Sequence, residues 1–238
     1  MPGQEGGNSV ADVLLGRVSP SGHLPMTFPM SYADVPSQNF PINVPETGLN
    51  QSFENQSKVC QPYDIPNVDY TNYEEDIYIG YRHFATRNVP VAYPFGFGLT
   101  YSKFEASDMA VAKTKGGFEV SCKVTNVGNF PAKQVVQLYS TELAPEVDRP
   151  AIELRGYKKT PLLQAGESCT VTIAISNDDL ATYSEKESAW KVRKGDYRLS
   201  LGFDSATLPL SKVVTVKKEK VTPVTDVMKP EKGELFIK

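Results

Sequence analysis

A mainly β protein, built as a two-layer antiparallel sandwich, is predicted by three observations in the second half of the sequence. Apolar and polar residues alternate with period two: Phe118, Val120, Cys122 and Val124 against Glu119, Ser121, Lys123 and Thr125, then Cys169, Val171, Ile173 and Ile175 against Ser168, Thr170 and Thr172. Alternation of this kind buries one face of a strand and leaves the other wet. Turn signals separate the runs at Asn126-Val127-Gly128-Asn129, Ala165-Gly166 and Lys194-Gly195-Asp196, where glycine and short polar side chains let the chain reverse. About seven such strands fit between Phe104 and Val216, the number an immunoglobulin-like sandwich requires.

In order, the strands are expected at Phe104 to Ala112, 118–124, Val135 to Ser140, Leu154 to Lys159, 169–175, 197–203 and Leu210 to Val216. Within the sixth, Tyr197, Leu199, Leu201 and Phe203 alternate with Arg198, Ser200 and Asp204. Tyr197 stands at its start, where these sandwiches tie a corner through a tyrosine hydroxyl. Cys122 and Cys169 fall on inward positions of different strands. Two uses stay open for them: a cross-sheet disulfide, or two buried thiols acting as small hydrophobes. Cys60 is then left over. Asp178-Asp179-Leu180 resembles a capped helical turn with Leu180 and Tyr183 tucked inward, and Trp190 is expected to fill a core or loop gap. The segment after Lys217 reads as a loosely attached tail.

Upstream the pattern is different. Val10, Ala11, Leu14 and Leu15 recur at helical spacing, which predicts a short helix over 8–16 capped by Asn8 and ended by Gly16. Ser19-Pro20-Ser21-Gly22 is a turn, and the prolines of His23 to Pro29 permit only an edge strand or an irregular extended segment. Residues 30–73 show no periodicity and suit a covering loop on a larger body. The run from Tyr73 to Phe84 could be helical or extended. From Tyr93 to Phe104 aromatics interleave with glycines, which predicts a buried joint: Gly96 and Gly98 permit turns or close approach, while Phe95, Phe97, Tyr101 and Phe104 offer the surface that pins it.

Composition narrows the partners. A formal net charge of -3 with scattered basic residues excludes an electrostatic footprint for nucleic acid or an anionic membrane. No apolar run approaches the length of a bilayer span, and the first residues lack the pattern of a signal peptide. Three dispersed cysteines and two histidines, His23 and His83, make a structural zinc site an unfavourable reading.

Several side chains nevertheless invite chemistry. Glu74-Glu75-Asp76 is the densest acidic cluster, but adjacent carboxylates rarely converge on one bond, and a solvated turn is the simpler use. Tyr78, Tyr81, Arg82 and His83 could line a sugar pocket or seal an interdomain contact, with the seal favoured. Pro2 to Gly7 lacks the spacing of a phosphate or dinucleotide loop. His23 near Ser21 has no acid partner placed by the sequence.

Taken together and in order, several segments resemble the family 3 glycoside hydrolases, in the branch that ends with a fibronectin type III-like domain. Pro2-Gly3-Gln4-Glu5-Gly6-Gly7-Asn8 through Gly16, with Ser19 to Pro29, is similar to the last part of that family's α/β-sandwich domain. Tyr78 to Phe84 and Tyr93 to Tyr101 are similar to its link into the third domain. Gln134 to Tyr139, Leu154 to Lys159, Ala165-Gly166-Glu167 and Gly195 to Leu199 are similar to that third domain. The resemblance implies four parts: 1–30, the incomplete end of the α/β domain; 31–103, the covering loop and aromatic joint; 104–217, the fibronectin type III-like sandwich; and 218–238, the tail.

It also implies retaining hydrolysis of β-linked glucosides or related sugars, by an aspartate nucleophile and a glutamate acid/base held about 5 Å apart. In the family the nucleophile lies in an N-terminal β/α barrel and the acid/base lies upstream of the segment that Pro2 to Glu5 resembles. No catalytic, substrate-binding, cofactor-binding or metal residue is therefore expected here, and the chain alone is expected to be inactive. The partners implied are the barrel and α/β domains of a larger enzyme, with oligosaccharide or polysaccharide as a ligand class. A periplasmic or extracellular location follows from the same resemblance. A carbohydrate-binding module standing alone is the other reading; a solvent-exposed row of aromatics on one sheet would favour it.

Overall fold

The computed structural model describes residues 3–36, 75–145 and 148–225. Strand numbering follows the chain, beginning with β1 (Phe28–Pro29) and β2 (Val91–Tyr93), which pair with each other outside the sandwich. The sandwich has one sheet of three strands, in the order β3 (Phe104–Lys113), β4 (Gly117–Asn126), β7 (Ser168–Ser176). Facing it is a sheet of four, in the order β11 (Leu210–Val216), β10 (Gly195–Gly202), β5 (Val135–Glu142), β6 (Glu153–Lys159). All pairings are antiparallel. The seven expected strands form, each within a few residues of its expected bounds.

Alternation explains most of the core. Val120, Cys122 and Val124 of β4 meet Val136 and Leu138 of β5 and Leu199 and Leu201 of β10, all buried. In β3 the period breaks: Phe104 and Met109, five positions apart, are both buried. A bulge between Ser107 and Ala110, with Asp108 at φ 54°, supplies the extra residue that turns Met109 inward. The Tyr197 hydroxyl donates to the carbonyl of Arg193 at 3.0 Å, tying the expected corner.

Three corrections follow. Cys122 and Cys169 lie on adjacent strands of the same sheet, with Cys122 opposite Val171 and Cys169 opposite Val124, and both thiols are free. A cross-sheet bridge is therefore not the arrangement; burial pushes the Cys122 thiol up to about 11, as befits a small hydrophobe. Second, a further small sheet exists, in the order β12 (Lys220–Pro223), β9 (Ala189–Val192), β8 (Thr182–Ser184). Lys220 to Pro223, expected in the tail, pair with Val192 to Ala189. Third, Trp190 and Tyr183 in this sheet are exposed rather than inward, while Leu180 is buried as expected. Ser176 and Asp179 form a reciprocal capping box around the 3-10 turn Asn177–Leu180.

Upstream, α1 spans Gly6–Leu14, starting two residues before the expected position. Asn8 does not cap it; its side-chain amide instead donates to Glu5 Oε2 at 2.7 Å. Gly16 takes the left-handed conformation, φ 69°, as its position after the helix suggested. Of the undecided run from Tyr73 to Phe84, the described part begins at Glu75 and forms a turn leading into α2 (Tyr81–Arg87). Most of the expected covering loop, and Glu74 and Cys60 with it, lie outside the described residues.

Candidate functional site

The strand β5 shows where the upstream segment docks. Val136 and Leu138 point into the core, yet Gln137 and Tyr139 on the opposite face are also buried. A strand covered on both faces needs a second layer outside the sandwich. That layer is the aromatic joint together with α2. Tyr81 packs against Phe95 at 4.8 Å between ring centroids and meets Tyr139 edge-on at 5.9 Å. Its hydroxyl accepts a hydrogen bond from the Leu154 amide at 2.9 Å. Burial raises the Tyr139 phenol well above its ordinary value, so that hydroxyl stays protonated and donates to Gln137 Oε1 at 2.7 Å.

Gln137 holds the joint itself. Its amide nitrogen donates to the carbonyls of Gly96 at 3.1 Å and Phe203 at 2.7 Å. Gly96 is at φ 81°, and a Cβ there would lie 2.2 Å from Gln137 Oε1, so this position requires glycine for its conformation and for the close approach. On the other side the backbone of Leu24 is clasped by the joint: Gly96 N donates to Leu24 O and Leu24 N donates to Phe97 O, both at 2.8 Å. Tyr101 reaches α1, its hydroxyl donating to the Val13 carbonyl at 2.7 Å.

A second anchor is ionic. Glu153, 8% exposed, faces three guanidinium groups: Arg149 at 2.6 Å, Arg155 at 2.7 Å and Arg82 of α2 at 3.4 Å. Burial lowers the Arg155 guanidinium below its ordinary value, while Glu153 opposes that shift. A third anchor is Asn126, fully buried at the end of β4. It donates to the carbonyls of Phe130 and Leu163 and accepts from Ser102 Oγ and the Gly128 amide, which satisfies its donors and its acceptor.

The candidates raised by the sequence divide cleanly. Tyr81 and Arg82 seal the contact between the upstream segment and the sandwich. His83 packs edge-on to Phe84. Glu75 and Asp76 lie in a turn, with Asp76 exposed, and Glu5 is exposed at the start of α1. His23 Nε2 lies 3.0 Å from Gln134 Oε1, and burial lowers its pKa. Because that oxygen also accepts from the Val135 amide, His23 Nε2 is the donor. No group of three or more His, Cys, Asp or Glu suited to a metal occurs among the described residues. Sequence patterns do not reveal Glu153, Gln137 or the structural role of Asn126, since each depends on which distant segment approaches it; Asn126 reads from the sequence only as a turn residue.

Much apolar surface of the upstream segment has no cover among the described residues. Leu14 is 76% exposed, and Val10, Leu15, Val18, Met26, Phe28 and Met30 are exposed with it. Beside them Phe28, Tyr93, Phe97 and Leu99 line a pocket of about 510 Å³ with His23 on its wall. Single exposed apolar residues are ordinary, but seven of them between Val10 and Met30 mark an interaction surface.

Comparison with known proteins accounts for this arrangement. Residues 1–101 match the glycosyl hydrolase family 3 C-terminal domain, and residues 134–205 match the fibronectin type III-like domain. The chain is 38% identical over 222 residues to beta-glucosidase A of Butyrivibrio fibrisolvens, a match covering 84% of this chain and 24% of that protein. It is 36% identical to an exo-alpha-(1->6)-L-arabinopyranosidase of Bifidobacterium longum, covering 94% of this chain and 27% of that protein. The structure of beta-glucosidase 3B from Thermotoga neapolitana superposes with a TM-score of 0.79 at 38% identity, over 93% of this chain and 28% of that one. The chain thus spans about a quarter of the length of these relatives. With both domains matched in order and the joint between them formed, this chain belongs to glycoside hydrolase family 3, whose C-terminal and fibronectin type III-like domains it carries.

Proposed function

We propose that this chain serves as the C-terminal, non-catalytic portion of a β-glucosidase-like glycoside hydrolase, in which the sandwich is a scaffold clamped to the end of the α/β domain. The observation that carries this reading is the doubly buried β5: the sandwich spends one whole face of a central strand on holding the upstream segment. The exposed apolar residues of α1 and of Val18 to Met30 supply the surface on which the remainder of the α/β domain would pack. The sugar and linkage are left to the barrel and α/β domains, in keeping with relatives that bear both β-glucosidase and arabinopyranosidase names. The division into 1–30, 31–103, 104–217 and 218–238 is part of the same proposal.

Hydrolysis of a chromogenic β-glucoside by the purified 238-residue chain, alone and mixed with a separately expressed barrel-containing segment of a family 3 enzyme, tests it. The expected result is no turnover alone and turnover in the mixture. Turnover by the chain alone would overturn the non-catalytic assignment and make Glu5, Glu75 and Asp76 the first residues to substitute.

A further inference from the structure

The small sheet outside the sandwich carries a feature the scaffold role does not use. Tyr183 of β8, Trp190 of β9 and Thr222 of β12 are direct cross-strand partners, so their side chains form one row on one face. The two rings touch at 5.6 Å between centroids with planes inclined at 62°. Yet Tyr183 is 43% and Trp190 48% exposed. Next to them opens a pocket of about 450 Å³ lined by Ala181, Val192 and Trp190 together with Arg155, Asp178, Asp179 and Thr222. Leaving an indole and a phenol together in water forgoes the burial that large aromatic side chains ordinarily obtain.

From this row and the polar residues beside it we infer that the β8–β9–β12 face is a binding site for a neutral glycan chain. A pyranose ring has an apolar face of C–H groups and an equatorial rim of hydroxyls. The apolar face suits the indole and phenol, and the hydroxyls suit the carboxylates and the threonine hydroxyl beside them. Charge selects a neutral sugar over an acidic one. Arg155, which lines the pocket, shares Glu153 with Arg149 and Arg82, and Lys220 pairs with Asp178. Lys191, one position along β9, is likewise taken by Glu187 and Glu219. A polyanion would bring its charge against the carboxylates of Asp178 and Asp179, whereas a neutral glycan meets hydrogen-bond partners. The choice of a glucan as probe rests on the glycoside hydrolase reading; the site itself rests on the geometry of the row.

Trp190 is the chain's single tryptophan, so its emission reports the site directly. Titration of the full chain with cellohexaose is expected to shift or quench that emission saturably, with a dissociation constant on the order of 1 mM. Calorimetry of Trp190→Ala is expected to show binding weakened about tenfold, with the far-ultraviolet spectrum and melting temperature little changed. Tyr183→Ala leaves the reporter in place and tests the row independently should the tryptophan variant fail to fold. Two results would each overturn the inference: emission unmoved by cellohexaose, or a free chain whose emission is already that of a buried indole, which would mean that other residues of the chain cover the row. Because the titration measures binding without turnover, a negative result beside restored activity in the mixing experiment would remove the glycan site and leave the scaffold reading standing.

Discussion

The sandwich and the segment before it solve the problem of apolar surface in opposite ways. In the sandwich, Val120, Val124, Leu138 and Leu199 vanish into a core closed by two sheets. In α1, Val10, Leu14 and Leu15 recur with the same regularity and remain in water. Both regions follow an amphipathic pattern; what differs is whether the matching surface lies on the described part of the chain. The sandwich contains both halves of its interface, and α1 contains one. A regular apolar stripe is therefore a statement about a neighbour, and the neighbour need not be close in sequence.

The sharpest way to break the comparison is at the clamp where the two regions meet. Removing the carboxylate with Glu153→Leu leaves Arg82 and Arg155 without their counter-ion and Arg149 with only Glu142, 3.7 Å away, and a loss of about 3–5 kcal/mol is expected. Urea unfolding followed by circular dichroism measures it, and hydrogen exchange is expected to show α2 released first. A change below about 1 kcal/mol would mean that the cluster adds nothing to the clamp.

Leu199→Ala tests the closed half. Deleting a fully buried leucine side chain between the sheets is expected to cost about 2–5 kcal/mol in the same assay. The paired substitution Leu14→Ser, on the open half, is expected to change stability by no more than about 0.5 kcal/mol while raising solubility. Comparable losses at the two positions would show that α1 is already covered in the isolated chain, and the contrast between the regions would collapse.

Between these extremes lies a pH effect at the joint. Burial holds the pKa of the His23 imidazole in the folded chain below the ordinary value of 6.5. Unfolded, it takes up a proton as the pH falls through about 6.5. The unfolded state then binds more protons than the folded one, so stability is full above that pH and declines below it, by at most about 1.4 kcal/mol per pH unit for one group. His83, lowered by burial and by Arg87, acts in the same direction. In His23→Gln the decline between pH 6.5 and the carboxylate range is expected to be shallower. An unchanged slope in thermal melts across that range would assign the effect to His83 alone.

How much of this was legible in the sequence depends on the distance over which each feature is decided. The strands of the sandwich were readable because alternation and turn residues are local, and the tyrosine tie at Tyr197 was readable because its acceptor lies four residues away. The glycine requirement at Gly96 was anticipated as close approach, though its partner, Gln137, was not. The β8–β9–β12 sheet escaped because its strands are three or four residues long and the charged turn Glu185–Glu187 interrupts them. The ordinary preference of tryptophan for burial predicts a filled gap for Trp190, and the structure places it on an open face.

By itself, then, the amino-acid sequence determined the strand count, the inward phase of β4, β7 and β10, the turns between them and the position of the joint. Each is a matter of neighbouring residues along the chain, where steric preference and the period of burial act directly. The tertiary structure alone decided that β5 is buried on both faces, that Glu153 gathers three arginines, that Cys122 and Cys169 share a sheet and that Trp190 stays in water. Those outcomes turn on which distant segment approaches which face, and a side chain's pattern announces that it needs a partner without saying from where the partner comes.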